Sequence, residues 1–267
     1  MGVLNDTGRY LRISIEGAGY SVDLLLRSLV QTVHLPRKIR PMMDMMFAAG
    51  VKTIPVVTIV AVFAGMILAL QTGIELKRIG SEGLIGNLVA ISMTREMGPF
   101  ITALIIAATV GSAIAAEIGT MAVSEEILAL EVMSIDPVRF LVMPRVIALS
   151  LMVPILVGLA DALGIIGGAF VASAQLGVEM PHYFDRVRES LLDPTAILPK
   201  DIWTGLFKGW VFGGVIAVVS CSAGLRASGG ALGVGRAVQL AVIQSFLLII
   251  ILGYIITWFF YFLAPNL

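Results

Sequence analysis

Hydrophobic positions along this chain come in long unbroken runs rather than in the short alternations of a soluble domain. Charge-free windows run from Thr53 to Ile74, from Met97 to Ala116 and from Ala237 to Leu267. Two more run from Val146 to Val178, broken only by Asp161, and from Ile202 to Leu225, broken only by Lys208. Each reaches about the 20 apolar residues that carry a helix across a bilayer. None alternates in polarity, as the strands of a membrane barrel would. The pattern predicts an all-α integral membrane protein with five transmembrane helices.

The polar stretch before the first window has its own periodicity. Val22, Leu25, Leu26, Leu29, Val30 and Val33 fall on one helical face, and Asp23, Arg27, Gln31 and His34 on the other. This predicts an amphipathic helix lying in the membrane surface, with the basic cluster Arg37, Lys38 and Arg40 against anionic headgroups. A soluble helix packed on a partner would show the same periodicity. The expected organisation is an N-terminal segment, 1–52, and one five-helix domain, 53–267. The first long apolar run begins too late for a signal peptide.

Composition agrees with the pattern. The chain has 267 residues, of which 58% are hydrophobic and 13% charged, against about 25% charged in an average soluble domain. Its mean hydropathy is +0.98. Net charge is zero, so no basic field draws it to nucleic acid. The single Cys221 excludes an internal disulfide. Seven basic residues precede the first window, Arg9, Arg12, Arg27, Arg37, Lys38, Arg40 and Lys52. That bias places the N-terminus in the cytoplasm and, after five spans, the C-terminus outside, although Arg186, Arg188 and Lys200 in the last outer loop run against it.

Several features are candidates for function. Ala103, Ala107, Gly111, Ala115 and Gly119 put a small residue at every fourth position of the second span, and Gly205, Gly209 and Gly213 repeat this in the fourth. Such stripes let helix backbones approach closely in lipid. Arg95 and Glu96 precede Pro99, and the run before them, Gly83 to Thr94, is also charge-free. It is too short to span, so it predicts a re-entrant piece or an extended, kinked helix that carries the two charges to some depth. Charges there face a cavity or one another, unless the pair lies at headgroup level. Lys208 either joins them or snorkels outward. Asp161, in mid-span, is a further functional candidate.

Between the second and third spans, Ser124 is expected to cap a helix with Glu125 and Glu126 in its first turn. Ile127, Leu130 and Met133 give that helix an apolar side, and Asp136-Pro137 stops it and starts the next. A short helix on the cytoplasmic side is suited to docking a partner or is an ordinary loop helix. No G-x-x-x-x-G-K-[ST] phosphate loop and no H-E-x-x-H motif are present. His34 and His182 lie outside the windows, so no intramembrane Ser–His pair can form, and the Gly111-Ser112 pair has no base beside it. The chain is therefore not expected to be an enzyme.

Three runs carry a resemblance: Thr94-Arg-Glu-Met-Gly-Pro-Phe-Ile-Thr-Ala-Leu104, Val110-Gly-Ser-Ala-Ile-Ala-Ala-Glu-Ile-Gly-Thr-Met121, and the segment from Ser124 to Arg145. Together with Phe63 to Gly73 they resemble the MlaE/YrbE permease family, the membrane subunits of MCE-type lipid ABC transporters. The resemblance extends over the whole length. It implies a homodimer in the bacterial inner membrane, bound to two cytoplasmic ABC ATPase subunits and a periplasmic MCE-domain lipid-binding protein, moving phospholipid in support of outer-membrane lipid asymmetry. ATP and Mg would bind the ATPase, with no cofactor on this chain. Ser124, Glu125, Glu126, Ile127, Ala129, Leu130, Glu131 and Met133 then correspond to the coupling helix that docks on the ATPase. Arg95, Glu96, Met97 and Phe100 correspond to a motif near the lipid pocket, although Met97 and Phe100 depart mildly from the family's commoner residues there. A stand-alone secondary transporter or channel is the alternative, but five spans do not divide into equal repeats.

Overall fold

The computed structural model describes residues 19–28, 39–192 and 200–263, with side chains from residue 42 in the second stretch. Leu29, Val30, Gln31, Val33, His34, Arg37 and Lys38 of the expected interfacial helix lie outside these residues. The described residues form helices throughout, joined by short turns. They are α1 (19–28), α2 (Ile39–Gly50), α3 (Ile54–Arg78), α4 (Ile85–Ser92), α5 (Gly98–Ile106), α6 (Ser112–Val123), α7 (Glu126–Val132), α8 (Met143–Leu176), α9 (Met180–Leu191), α10 (Lys200–Leu225) and α11 (Gly230–Trp258).

Five helical stretches are long and apolar enough to cross a membrane: Met42–Arg78, Glu82–Val123, Val138–Leu176, Lys200–Leu225 and Gly230–Leu263. All five are longer than the charge-free windows, because the helices continue past the first charge. The largest extension is in the second. The short run before Arg95 is no separate re-entrant piece; α4, α5 and α6 form one kinked helix, joined by π turns at Met93–Met97 and Ala107–Gly111. Single π turns of this kind recur at functional sites. The first stretch also starts before residue 53, since α2 runs on into α3 through one 3₁₀ turn.

By internal packing the chain forms two units. One contains residues 47–106, 150–213 and 247–267. Its core joins Ala69 and Leu76 of α3, Ile85, Val89 and Ala90 of α4, Ile165, Ala169 and Ala172 of α8, and Tyr183 and Val187 of α9. A stripe the sequence reading overlooked, Ala61, Gly65, Ala69 and Gly73, is buried along α3. A side chain on Gly65 would collide with the Gly164 carbonyl, so the α3 and α8 backbones touch there. The Tyr183 hydroxyl donates to the Ile165 carbonyl at 3.2 Å. Burial pushes that phenol above its ordinary value, so it stays a donor.

The other unit contains 107–149, 214–246 and the described residues up to 46. Ala115, Ala223 and Ala241 pack with Val238 at its centre. Gly119 faces Ala227 and Val234, and Gly224 faces Ile118. On α1 the packed face runs through Leu24 and Ser28, while Val22 and Leu26 are exposed. Ser21 Oγ donates to Ser222 Oγ at 2.9 Å, and the Arg226 guanidinium lies 5.7 Å from the Tyr20 ring.

Candidate functional site

The site begins with a missing donor. Pro99 has no backbone N–H, so the Arg95 carbonyl four residues earlier has no α-helical partner. The helix widens there, and the Gly98 N–H reaches back five residues to the Met93 carbonyl. Lys208 of α10 fills the gap: its Nζ donates to the Arg95 carbonyl at 2.8 Å. Gly205, one turn before Lys208, has no side chain to collide with the Thr94 carbonyl, which lets α10 lie against the turn.

The widened turn presents Arg95 and Glu96 side by side, and each pairs with α10 rather than with the other. Lys208 Nζ is 2.7 Å from Glu96 Oε1. Lys208 is 1% exposed, so it does not snorkel outward. The Thr257 hydroxyl of α11 lies 2.6 Å from the same Glu96 oxygen. Arg95 donates through Nε at 3.1 Å and through its terminal nitrogen at 2.9 Å to Asp201 Oδ1. Tyr261 donates its hydroxyl to that oxygen too. Its ring stacks on the Arg95 guanidinium at 4.2 Å, with Lys200 Nζ at 5.3 Å. Two ion pairs therefore sit next to each other, each with a hydroxyl from the C-terminal part of the chain.

Beside the Glu96–Lys208 pair lies a cavity of about 430 Å³, within the range of about 300–1,000 Å³ typical of ligand sites. Phe100, Phe212, Ile249 and Ile250 form apolar walls, and Glu96, Lys208 and Thr257 supply the polar end. Gly253 and Tyr254 complete the lining, and Tyr254 and Ile250 are largely exposed, so that wall opens to the outside. The arrangement suits an amphipathic ligand: a fixed cation at one end, already compensated, and apolar surface along the rest.

Of the residues singled out from sequence, Glu96 and Phe100 line the cavity, and Arg95 sits one ion pair away. Met97 points elsewhere; it is exposed and not part of the lining. Asp201, Thr257 and Tyr261 were missed. The stripe residues Ala103, Ala107, Gly111, Ala115 and Gly119 are all buried in the second span.

The expected docking helix is α7. Its start differs from the expectation: Ser124 ends α6, with its hydroxyl turned back to the Thr120 carbonyl at 2.9 Å, and does not cap α7. Glu125 is the capping residue, in the left-handed region at φ 61°. Glu126, Ala129 and Glu131 are exposed, and Ile127 and Leu130 are half-buried. Leu128, Val132 and Met133 are exposed, Val132 by 80%. Asp136 caps the next segment, its Oδ1 accepting the Val138 N–H at 2.9 Å. Nearby, the buried Arg145 pairs with Glu117 at 2.8 Å and donates to the Leu141 carbonyl at 2.7 Å. Among the described residues no cluster of metal-ligating side chains occurs.

Five helices long and apolar enough to cross a membrane, with an amphipathic cavity among them, suit a membrane permease. The chain belongs to the MlaE permease family, whose description, Permease MlaE, matches residues 42–259. It is 41% identical over 212 residues to a probable ABC transporter permease protein of Rickettsia prowazekii, covering 79% of this chain and 80% of that one. It is 36% identical over 257 residues to a probable ABC transporter permease protein of Synechocystis, covering 92% and 95%. It is 30% identical over 234 residues, 88% of each chain, to the intermembrane phospholipid transport system permease protein MlaE of Haemophilus influenzae.

Proposed function

We propose that this chain is the transmembrane subunit of an ATP-driven phospholipid transporter in the bacterial inner membrane. Two copies form the membrane part, two cytoplasmic ABC ATPase subunits bind ATP and Mg, and a periplasmic MCE-domain protein exchanges the lipid. The role is maintenance of outer-membrane lipid asymmetry. The observation that carries this reading is the cavity beside Lys208 and Glu96, apolar along its walls and charged at one end, in a chain of the permease family. The name of the Haemophilus relative supports phospholipid as the cargo.

In this reading a lipid phosphate approaches the paired Lys208 and competes with Glu96 for its ammonium, while Arg95 adds a planar donor set suited to phosphate. Acyl chains run along Phe100, Phe212, Ile249 and Ile250. ATP-driven closure of the ATPase pair draws the two α7 helices together, narrows the cavity and displaces the lipid.

Native mass spectrometry of the complex purified from its own membrane tests this. The expected species contains two copies of this chain, two copies of an ATPase, an MCE-domain oligomer and retained phospholipid. A lone chain, or an oligomer without ATPase in several mild detergents, overturns the reading in favour of a stand-alone transporter.

A further inference from the structure

Asp161 is an acidic side chain that the cavity does not use. It lies near the middle of α8 and is 7% exposed. Its Oδ1 is buried without a hydrogen-bond partner. The charged groups on the elements around it are occupied elsewhere. Arg95 pairs with Asp201, and Glu96 with Lys208 and Thr257. From α3, Val57 and Ala61 pack at the adjoining Ala160, with Ile105 of α5. An ionised, unpaired carboxylate in such surroundings is strongly disfavoured.

What stands opposite Asp161 gives it a role. A Cβ placed on Gly98 would collide with Asp161 Oδ1 and stand 3.1 Å from the Met93 carbonyl oxygen. Both oxygens therefore border the space that a Gly98 side chain would fill, and only glycine leaves that space open to the carboxyl. Two bare acceptors in that position repel each other; a proton on the carboxyl turns them into a donor and an acceptor. The Met93 carbonyl already accepts the Gly98 N–H that closes the π turn, and it has a second lone pair. The next two carbonyls of the turn, Thr94 and Arg95, face Gly205 and Lys208 of α10. The widened turn is thus held from α10 at one end, while at the other the Met93 side chain packs against Gly164 of α8 and Asp161 of α8 is the polar group that faces it.

We propose that Asp161 carries its proton within the membrane and holds the Met93 end of the π turn, as a positioning residue for Arg95 and Glu96. Infrared difference spectroscopy of the full chain in lipid nanodiscs, wild type against Asp161→Asn, reads the carboxylic-acid carbonyl stretch. At neutral and mildly alkaline pH the wild type is expected to show an acid band that Asp161→Asn lacks. A wild type with only ionised-carboxylate bands at this position overturns the proposal.

Deuterium uptake over residues 93–99 tests the positioning. The amide of Asp161→Asn can still donate, so its uptake rate is expected within about twofold of wild type. Asp161→Leu has no donor, and its uptake is expected to rise roughly fivefold or more. Equal uptake in the two variants overturns the positioning role. If Asp161→Leu does not fold, the infrared comparison decides alone.

Discussion

Pro99 takes one donor out of the second span, and a lysine from a helix more than 100 residues further on replaces it. That exchange explains why a lysine is tolerated in α10 at 1% exposure. Two of its three hydrogens have fixed acceptors in the Arg95 carbonyl and Glu96, so the ammonium is compensated where water is scarce. Lys208→Met removes both bonds and leaves Glu96 with Thr257 alone. The expected loss is about 1–3 kcal/mol, the usual cost of stranding a buried polar group, read as a lower melting temperature in detergent. Lys208→Met combined with Glu96→Gln is expected to recover most of that stability, because no charge is left unmatched. It is not expected to recover the co-purifying phospholipid, measured by extraction and mass spectrometry. Recovery of both would remove the Lys208–Glu96 pair from lipid binding. Arg95, Glu96 and Lys208 were legible in the sequence because a charge in an apolar run is conspicuous. Asp201, Thr257 and Tyr261 were not. Asp201 reads as an ordinary charge at the edge of a window, and Thr257 and Tyr261 as unremarked members of the last apolar window. Only the packing of α10 and α11 on the π turn gives them a site.

Among elements, the spans were the most legible, since their signal is length and apolarity alone. Their joints were less so: the π turn at Met93–Met97 follows from Pro99, yet periodicity cannot separate a kinked helix from two short ones. The α3 stripe Ala61, Gly65, Ala69 and Gly73 was as visible as the one in the second span, and only the contact with Gly164 shows what it does. At α7 the Ser-Glu-Glu signature fits a cap, but the left-handed backbone at Glu125 moves the helix start one residue on and turns Ser124 back onto α6. The result exposes Leu128, Val132 and Met133 with Glu125 and Glu126 beside them, an apolar knob with an acidic edge. If α7 docks on the ATPase, reversing that edge by Glu125→Lys with Glu126→Lys is expected to abolish co-purification of the ATPase. The circular dichroism and melting temperature of the permease should stay unchanged, since neither glutamate is buried. ATPase retained at normal stoichiometry would refute the docking role.

At the scale of the whole molecule, an odd number of spans has a consequence that composition cannot supply. The connections carrying α7 and α9 follow successive span-length stretches, so they are expected on opposite faces of the membrane. The bias of basic residues toward the N-terminal segment leads us to propose that α7 is cytoplasmic and α9 on the outer side. The chain is well suited to a direct test, because its single cysteine, Cys221, is fully buried and leaves thiol labelling almost silent. Ser124 and Glu189 are exposed at α7 and α9 respectively. In spheroplasts, Glu189→Cys is expected to react with a membrane-impermeant maleimide, and Ser124→Cys only after lysis. The orientation matters for more than topology, since an ATPase working on cytoplasmic ATP could reach only the connections on the cytoplasmic face. Labelling in the reverse order would place α7 outside, which is incompatible with coupling through that helix, and would require the energy input to enter through α9 and the connection before α10.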